Sequence, residues 1–130
     1  MNEPQASLVL AADDPAALAR FYGALLQVEP QPGLSASHWR LPWPGGGTLE
    51  LYAPSRQRRP PRQVGRLALC LQRRAAGAEP VAVLQAWLAD GIALGATLQE
   101  PLRREPFGAE AWLADPEGNR LLLLVPVQAP

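Results

Sequence analysis

One hairpin is written into this chain twice, and that repetition limits what it can fold into. Residues 111–127 hold two apolar runs around the turn Asp115-Pro116-Glu117-Gly118-Asn119. Asp115 can accept a backbone hydrogen bond as the turn opens, Pro116 presets φ, and Gly118 or Asn119 can take a positive φ. The second arm, residues 121–125, is apolar at every position, as in a strand covered on both faces. The same pattern occurs 72 residues earlier, matching Pro44 to Pro116, Gly46 to Gly118, Leu49 to Leu121, Leu51 to Leu123 and Pro54 to Pro126. A second echo aligns Ser7-Leu-Val-Leu10 with Arg66-Leu-Ala-Leu69, 59 residues on. The chain therefore reads as one unit used twice, and a departure at one of two paired positions becomes informative.

Taken in order, residues 7–12 form a short apolar strand. Asp14 is placed to cap a helix whose first turn accepts Pro15. Leu18, Phe21, Tyr22, Leu25 and Leu26 then recur on one helical face and read as core. Residues 28–34 are extended, and residues 37–43 with 48–52 make the first hairpin. The second unit repeats the order. A strand spans 66–71, and a helix spans 80–90 with Val81, Leu84, Trp87 and Leu88 inward and Gly91 as its stop. A weak strand at 97–103 precedes a hairpin of 107–114 with 120–127. The predicted class is α+β, strand–helix–three strands twice over. Module one covers about residues 5–54, a linker about 55–64, and module two about 65–127, within a single domain of 130 residues.

Lys and Arg total 12, as do Asp and Glu, so the formal charge is zero. No global field recruits nucleic acid or an anionic membrane. No apolar run approaches the roughly 18 residues that span a bilayer. The N-terminal residues carry no signal-peptide pattern. Cys70 is the only cysteine, which excludes an internal disulfide and suits a reducing, cytoplasmic setting. Arg56, Arg58, Arg59, Arg62 and Arg66 crowd the linker; without interleaved aromatics they read as a solvated loop. A phosphate clamp or a protein-binding surface is the sharper reading of the same loop.

Alternation along strands separates two faces. Leu8, Leu10, Leu49, Leu51, Leu121 and Leu123 form the set that each helix would cover. The opposite face then carries Ser7, Thr48, Glu50, Tyr52, Arg66 and Leu122, with Ser7, Glu50, Arg66 and Leu122 as the central four. Glu50 stands out, because its repeat partner is Leu122 and a carboxylate is seldom buried unless paired or ligating. A wet outer face is the plain alternative. His38, the sole histidine, shares a face with Arg40, opposite Trp39 and Leu41. Which pair faces inward depends on the turn at 44–47. Trp39, Trp43 and Trp112 are candidates for a pocket wall.

These residues resemble the vicinal oxygen chelate superfamily of glyoxalases, extradiol dioxygenases and bleomycin-resistance proteins. The marks are Asp14-Pro15 followed by Phe21-Tyr22-Gly23-Ala24-Leu25-Leu26, then Leu49-Glu50-Leu51, then Phe107-Gly108 leading to residues 115–119. The resemblance implies two βαβββ modules forming a U-shaped mixed sheet around a central cleft, often in dimers. It also implies a divalent ion held from strands one, four, five and eight, acting as a Lewis acid. Carried onto this chain, those four positions are Ser7, Glu50, Arg66 and Leu122, so Glu50 is the only family ligand retained. Leucine cannot ligate, and arginine puts a fixed positive charge where a cation would sit.

The expectation is therefore a protein without metal or cofactor, with Arg66 paired to Glu50. It would bind a small, partly apolar or anionic molecule through Ser7, Glu50, Tyr52, Arg66, Trp112 and Leu122. A homodimer is expected. The alternative is a glyoxalase-type lyase or isomerase, using a divalent metal or acid–base chemistry by Glu50 and His38. A raised Glu50 pKa would favour that alternative.

Overall fold

Asp14 opens the first helix by accepting a hydrogen bond from the Ala17 amide at 3.1 Å, with Pro15 in the first turn. The computed structural model describes residues 5–57, 59–60 and 68–127. In chain order the elements are β1 (Ser7–Ala11), α1 (Pro15–Leu26), β2 (Gln31–Pro32), β3 (His38–Pro42), β4 (Thr48–Tyr52), β5 (Leu69–Gln72), α2 (Pro80–Ala93), β6 (Thr97–Glu105), β7 (Gly108–Ala114) and β8 (Arg120–Pro126). The order is βαβββ twice, as the duplication predicts. The chain divides into two compact units, residues 1–64 and 65–130, each with its own four-stranded mixed sheet.

In the first unit the strand order is β1-β4-β3-β2, with β1 parallel to β4 and the others antiparallel. In the second it is β5-β8-β7-β6, with the same pattern of directions. Helix α1 packs on β3 and β4, and α2 packs on β6, β7 and β8. Each helix buries one sheet face. Leu18, Phe21, Tyr22 and Leu25 meet Leu41, Leu49 and Leu51 in the first core. Leu84, Trp87 and Leu88 meet Leu113, Leu121, Leu123 and Val125 in the second. Fully burying one such side chain contributes about 1.5–3 kcal/mol, so these stripes dictate which face of each sheet stays open.

Three expectations are corrected. Helix α2 does not stop at Gly91, which is buried inside it. An interior glycine costs only about 1 kcal/mol relative to alanine, and Gly91 is the last buried position of the stripe formed with Leu84, Trp87 and Leu88. The stop falls at Gly95, whose φ of 117° suits a residue without Cβ. There the Gly95 amide bonds Ile92 O and the Ala96 amide bonds Gly91 O, the paired closure of a left-handed helix end.

The fifth strand begins at Leu69 rather than at residue 66, and Arg66 lies outside the described residues. Register places Leu8 beside Leu49 and Leu69 beside Leu121. Leu8 therefore corresponds to Leu69, 61 residues on rather than 59. A two-residue slip preserves the face but changes the neighbours. Val9, not Ser7, lies directly beside Glu50, and Cys70 lies beside Leu122.

Trp39 is not on the open face. Its register partner is Leu51, on the side that α1 covers. Of the linker arginines, Arg58 and Arg62, like Arg66, lie outside the described residues.

Candidate functional site

Strands β4 and β3 settle the phase that the sequence leaves open. Pro42 opposes Thr48, so Arg40 opposes Glu50 and His38 opposes Tyr52. The open face of the first sheet thus carries His38, Arg40, Thr48, Glu50 and Tyr52, with Ser7 and Val9 on β1. Across the middle of the sheet one row runs Val9, Glu50, Arg40, Gln31.

Glu50 is held on both oxygens. Its side chain is 15% exposed. His38 Nε2 lies 2.7 Å from Oε1, and the Thr48 hydroxyl donates to Oε2 at 2.6 Å. Thr48 is two residues away on the same strand, so that bond follows from alternation alone. On the other side of the ring, the Leu34 amide donates to His38 Nδ1 at 2.8 Å. Nδ1 is therefore an acceptor, and the proton of the neutral imidazole is on Nε2, donated to Glu50. His38 is 4% exposed, and both of its nitrogens are engaged.

The net effect on Glu50 is a lowered pKa. Burial is the largest influence and would raise it. Hydrogen bonds from Thr48 and His38, together with the nearby Arg40 charge, outweigh burial. The raised value that would suit a general acid is not found.

Arg40 reaches Glu50 Oε1 with Nε at 3.4 Å. That is ion-pairing distance, but the alignment gives no hydrogen bond, and the buried Nε has no hydrogen-bond partner. Among the described residues the partners of Glu50 are His38, Thr48 and Arg40; the pairing expected with Arg66 lies outside the described residues. Tyr52 is buried, and its hydroxyl donates to the Arg59 carbonyl at 2.9 Å, which ties the linker to β4. Ser7 is exposed, and its register partner is Thr48.

The open face of the second sheet is different in kind. Trp112 and Leu122 are register partners, with Leu124 one step further along β8, and all three are half-buried. Arg120 caps the Trp112 ring at 4.8 Å and pairs with Glu100. Arg103 pairs with Glu110 at 3.0 Å. Cys70 is exposed on this face, and its thiol is pushed up by partial burial and then by Glu110, which makes it a poor nucleophile.

The four positions that the superfamily resemblance assigns to a divalent ion do not fit one among the described residues. A guanidinium stands beside one Glu50 oxygen, and Leu122 has no lone pair to give. No three His, Cys, Asp or Glu side chains of the described residues gather in a metal-holding group. The site that sequence reasoning missed is the His38–Glu50–Arg40 set. Its signal was the pairing of Arg40 and His38 on one strand face, unusable until the turn length fixed the phase. No helix of the described residues is long and apolar enough to cross a membrane.

With this geometry in hand, the chain was compared with known proteins. The model of the glyoxalase-like domain family matches residues 7–124. No curated protein matches. Among solved structures, a protein from Agrobacterium tumefaciens determined by solution NMR is 25% identical, with a TM-score of 0.70 over 98% of this chain and 100% of that one. A glyoxalase-related enzyme from Fulvimarina pelagi is 21% identical, with a TM-score of 0.71 over 95% and 88%. A glyoxalase/bleomycin resistance protein from Albidiferax ferrireducens T118 is 26% identical, with a TM-score of 0.61 over 92% and 95%.

Proposed function

The chain belongs to the glyoxalase-like domain family, and on that footing we propose that it is a metal-free binding protein for a small, partly apolar, anionic molecule. One observation carries the reading. Glu50, the family's only retained ligand, has its charge met within the protein, by hydrogen bonds from His38 and Thr48 and by the Arg40 guanidinium beside it. The open face of the first sheet supplies what such a ligand needs, a half-exposed guanidinium at Arg40 and apolar surface at Val9; the open face of the second sheet, by itself, carries Trp112, Leu122 and Leu124. Ser7 adds an exposed hydroxyl on the first face. The protein would act as a homodimer in the cytoplasm, apart from nucleic acid and membranes.

A second reading is a lyase or isomerase in which Glu50 and His38 move a proton. Their 2.7 Å contact favours it, since a carboxylate that orients an imidazole is a frequent general-base arrangement. The ring direction opposes it. A base needs a free nitrogen lone pair toward the substrate, and Nδ1 already accepts from Leu34.

Metal content of the protein purified without chelator, followed by thermal shifts with Zn, Ni, Mn, Fe and Mg ions, tests the proposal. The expected result is no bound ion and no shift. One ion per chain, lost in Glu50→Ala, would overturn it.

A further inference from the structure

We infer that Arg40 is the anion-reading residue of the first sheet, and that it takes a monocarboxylate carrying a short apolar chain. This rests on the metal-free binding reading and names the ligand class of that same face. Arg40 sits on the third strand with its side chain 41% exposed. Nε is buried and makes no hydrogen bond. The terminal nitrogens make no hydrogen bond or ion pair among the described residues; the one ion pair of Arg40 is the Nε contact with Glu50. The two arginines on the open face of the second sheet differ. Arg103 and Arg120 each give a terminal nitrogen to a carboxylate, Glu110 and Glu100. The carboxylate beside Arg40 makes no hydrogen bond with it; the hydrogen bonds Glu50 accepts come from Thr48 and His38. Glu50 therefore holds the guanidinium in place at Nε and leaves the planar two-nitrogen fork facing outward. That fork matches the two oxygens of a carboxylate.

Charge selects a monoanion. Arg40 is the only arginine or lysine contributed to this face by the strands β1, β3 and β4, and the Glu50 charge at 3.4 Å offsets it. A single additional negative charge is tolerated there; a dianionic phosphate is not. The apolar part follows from the row across the sheet. Val9, 45% exposed, lies on the far side of Glu50 from Arg40. Two strand spacings separate them, about 9–10 Å. A ligand with its carboxylate on Arg40 lays a short carbon chain over Glu50, whose polar atoms are already satisfied, and ends on Val9.

The test is a titration of the full 15N-labelled chain, followed by the Arg40 Nε–H and Val9 amide signals. The Arg40 Nε–H reports directly on the guanidinium. The probes are hexanoate, hexanamide and inorganic phosphate. Hexanoate is expected to shift both signals saturably, and hexanamide neither. In Arg40→Gln the Val9 response should weaken at least tenfold, with Arg40→Lys intermediate, because it keeps the charge and loses the fork. Equal responses to hexanoate and hexanamide, no saturable response, or an unchanged response in Arg40→Gln would each overturn the inference. Tighter binding of phosphate than of hexanoate would overturn the choice of ligand class. The metal measurement reads independently of all of these, so a chain that binds no ion and ignores hexanoate refutes the role of Arg40 while leaving the metal-free reading in place.

Discussion

A methyl group added to Gly33 would lie 2.4 Å from Cγ of His38, so the backbone at Gly33 rests directly on the imidazole face. The next amide, Leu34, donates to Nδ1, and the Gly33 amide donates to the His38 carbonyl at 2.7 Å. The short segment before β3 thus clamps the ring that donates to Glu50. Gly33→Ala is expected to displace His38 and to cost about 1–3 kcal/mol, as overpacking does. His38→Ala strands the Leu34 amide and one Glu50 oxygen, for a cost in the same range, about 1–3 kcal/mol. Because both changes break one contact, the double variant should lose less than the two losses added together. Urea unfolding of the three variants checks this. Single losses below about 0.5 kcal/mol, the level of an ordinary surface change, would refute the clamp.

Glu50 gives the fold a specific acid sensitivity. Its pKa is lowered on folding, so the folded state favours the ionised form. The stability this provides is fully present above the ordinary glutamate value of about 4.3. It is lost as pH falls below that and through the lower folded value. Unfolding free energy should therefore drop more steeply on acidification in the native chain than in Glu50→Gln. The gap between them should be widest near neutral pH and narrow below pH ~4. Parallel curves across the acid range would show that Glu50 is not held in its ionised form.

Asp115 organises the second hairpin more strongly than its turn position alone requires. It is buried, and its Oδ1 accepts from the Glu117 amide, the Asn119 amide and the Asn119 side chain at 2.9–3.1 Å. Oδ2 accepts from Asn119 Nδ2 at 2.9 Å. Asp115→Ala removes all of these and should cost at least about 2 kcal/mol. Asp115→Asn keeps one acceptor oxygen and should cost less. Thermal unfolding of the two variants ranks them; equal losses would mean that the charge, not the set of bonds, holds the turn.

Much of this was open to reading in the residues themselves. Asp14 as a helix cap, the turn at 115–119, the leucine faces under each helix and the strand–helix–hairpin order all depend on neighbours within a few residues. Local chemistry is enough to specify them. Glu50 was visible as an anomaly because its repeat partner is Leu122. Its partners were not visible, except Thr48, two residues away. His38 and Arg40 are separated from Glu50 by 12 and 10 positions and by a glycine-rich turn. Gly91 misled because glycine ends helices often, yet α2 continues to Ala93 and its closing hydrogen bonds form at Gly95 and Ala96.

The sequence by itself determined the plan: two βαβββ modules, a buried leucine face on each sheet, and one carboxylate out of place. These follow from the 3.6- and 2-residue periods within single elements and from the duplication between them. Only the tertiary structure decided the phase between strands. It put His38 and Arg40 beside Glu50, set Val9 rather than Ser7 opposite it, and shifted the fifth strand by two residues. Alternation fixes which residues share a face within one strand. Which faces meet across strands depends on how the chain closes each turn and on the register its backbone hydrogen bonds select.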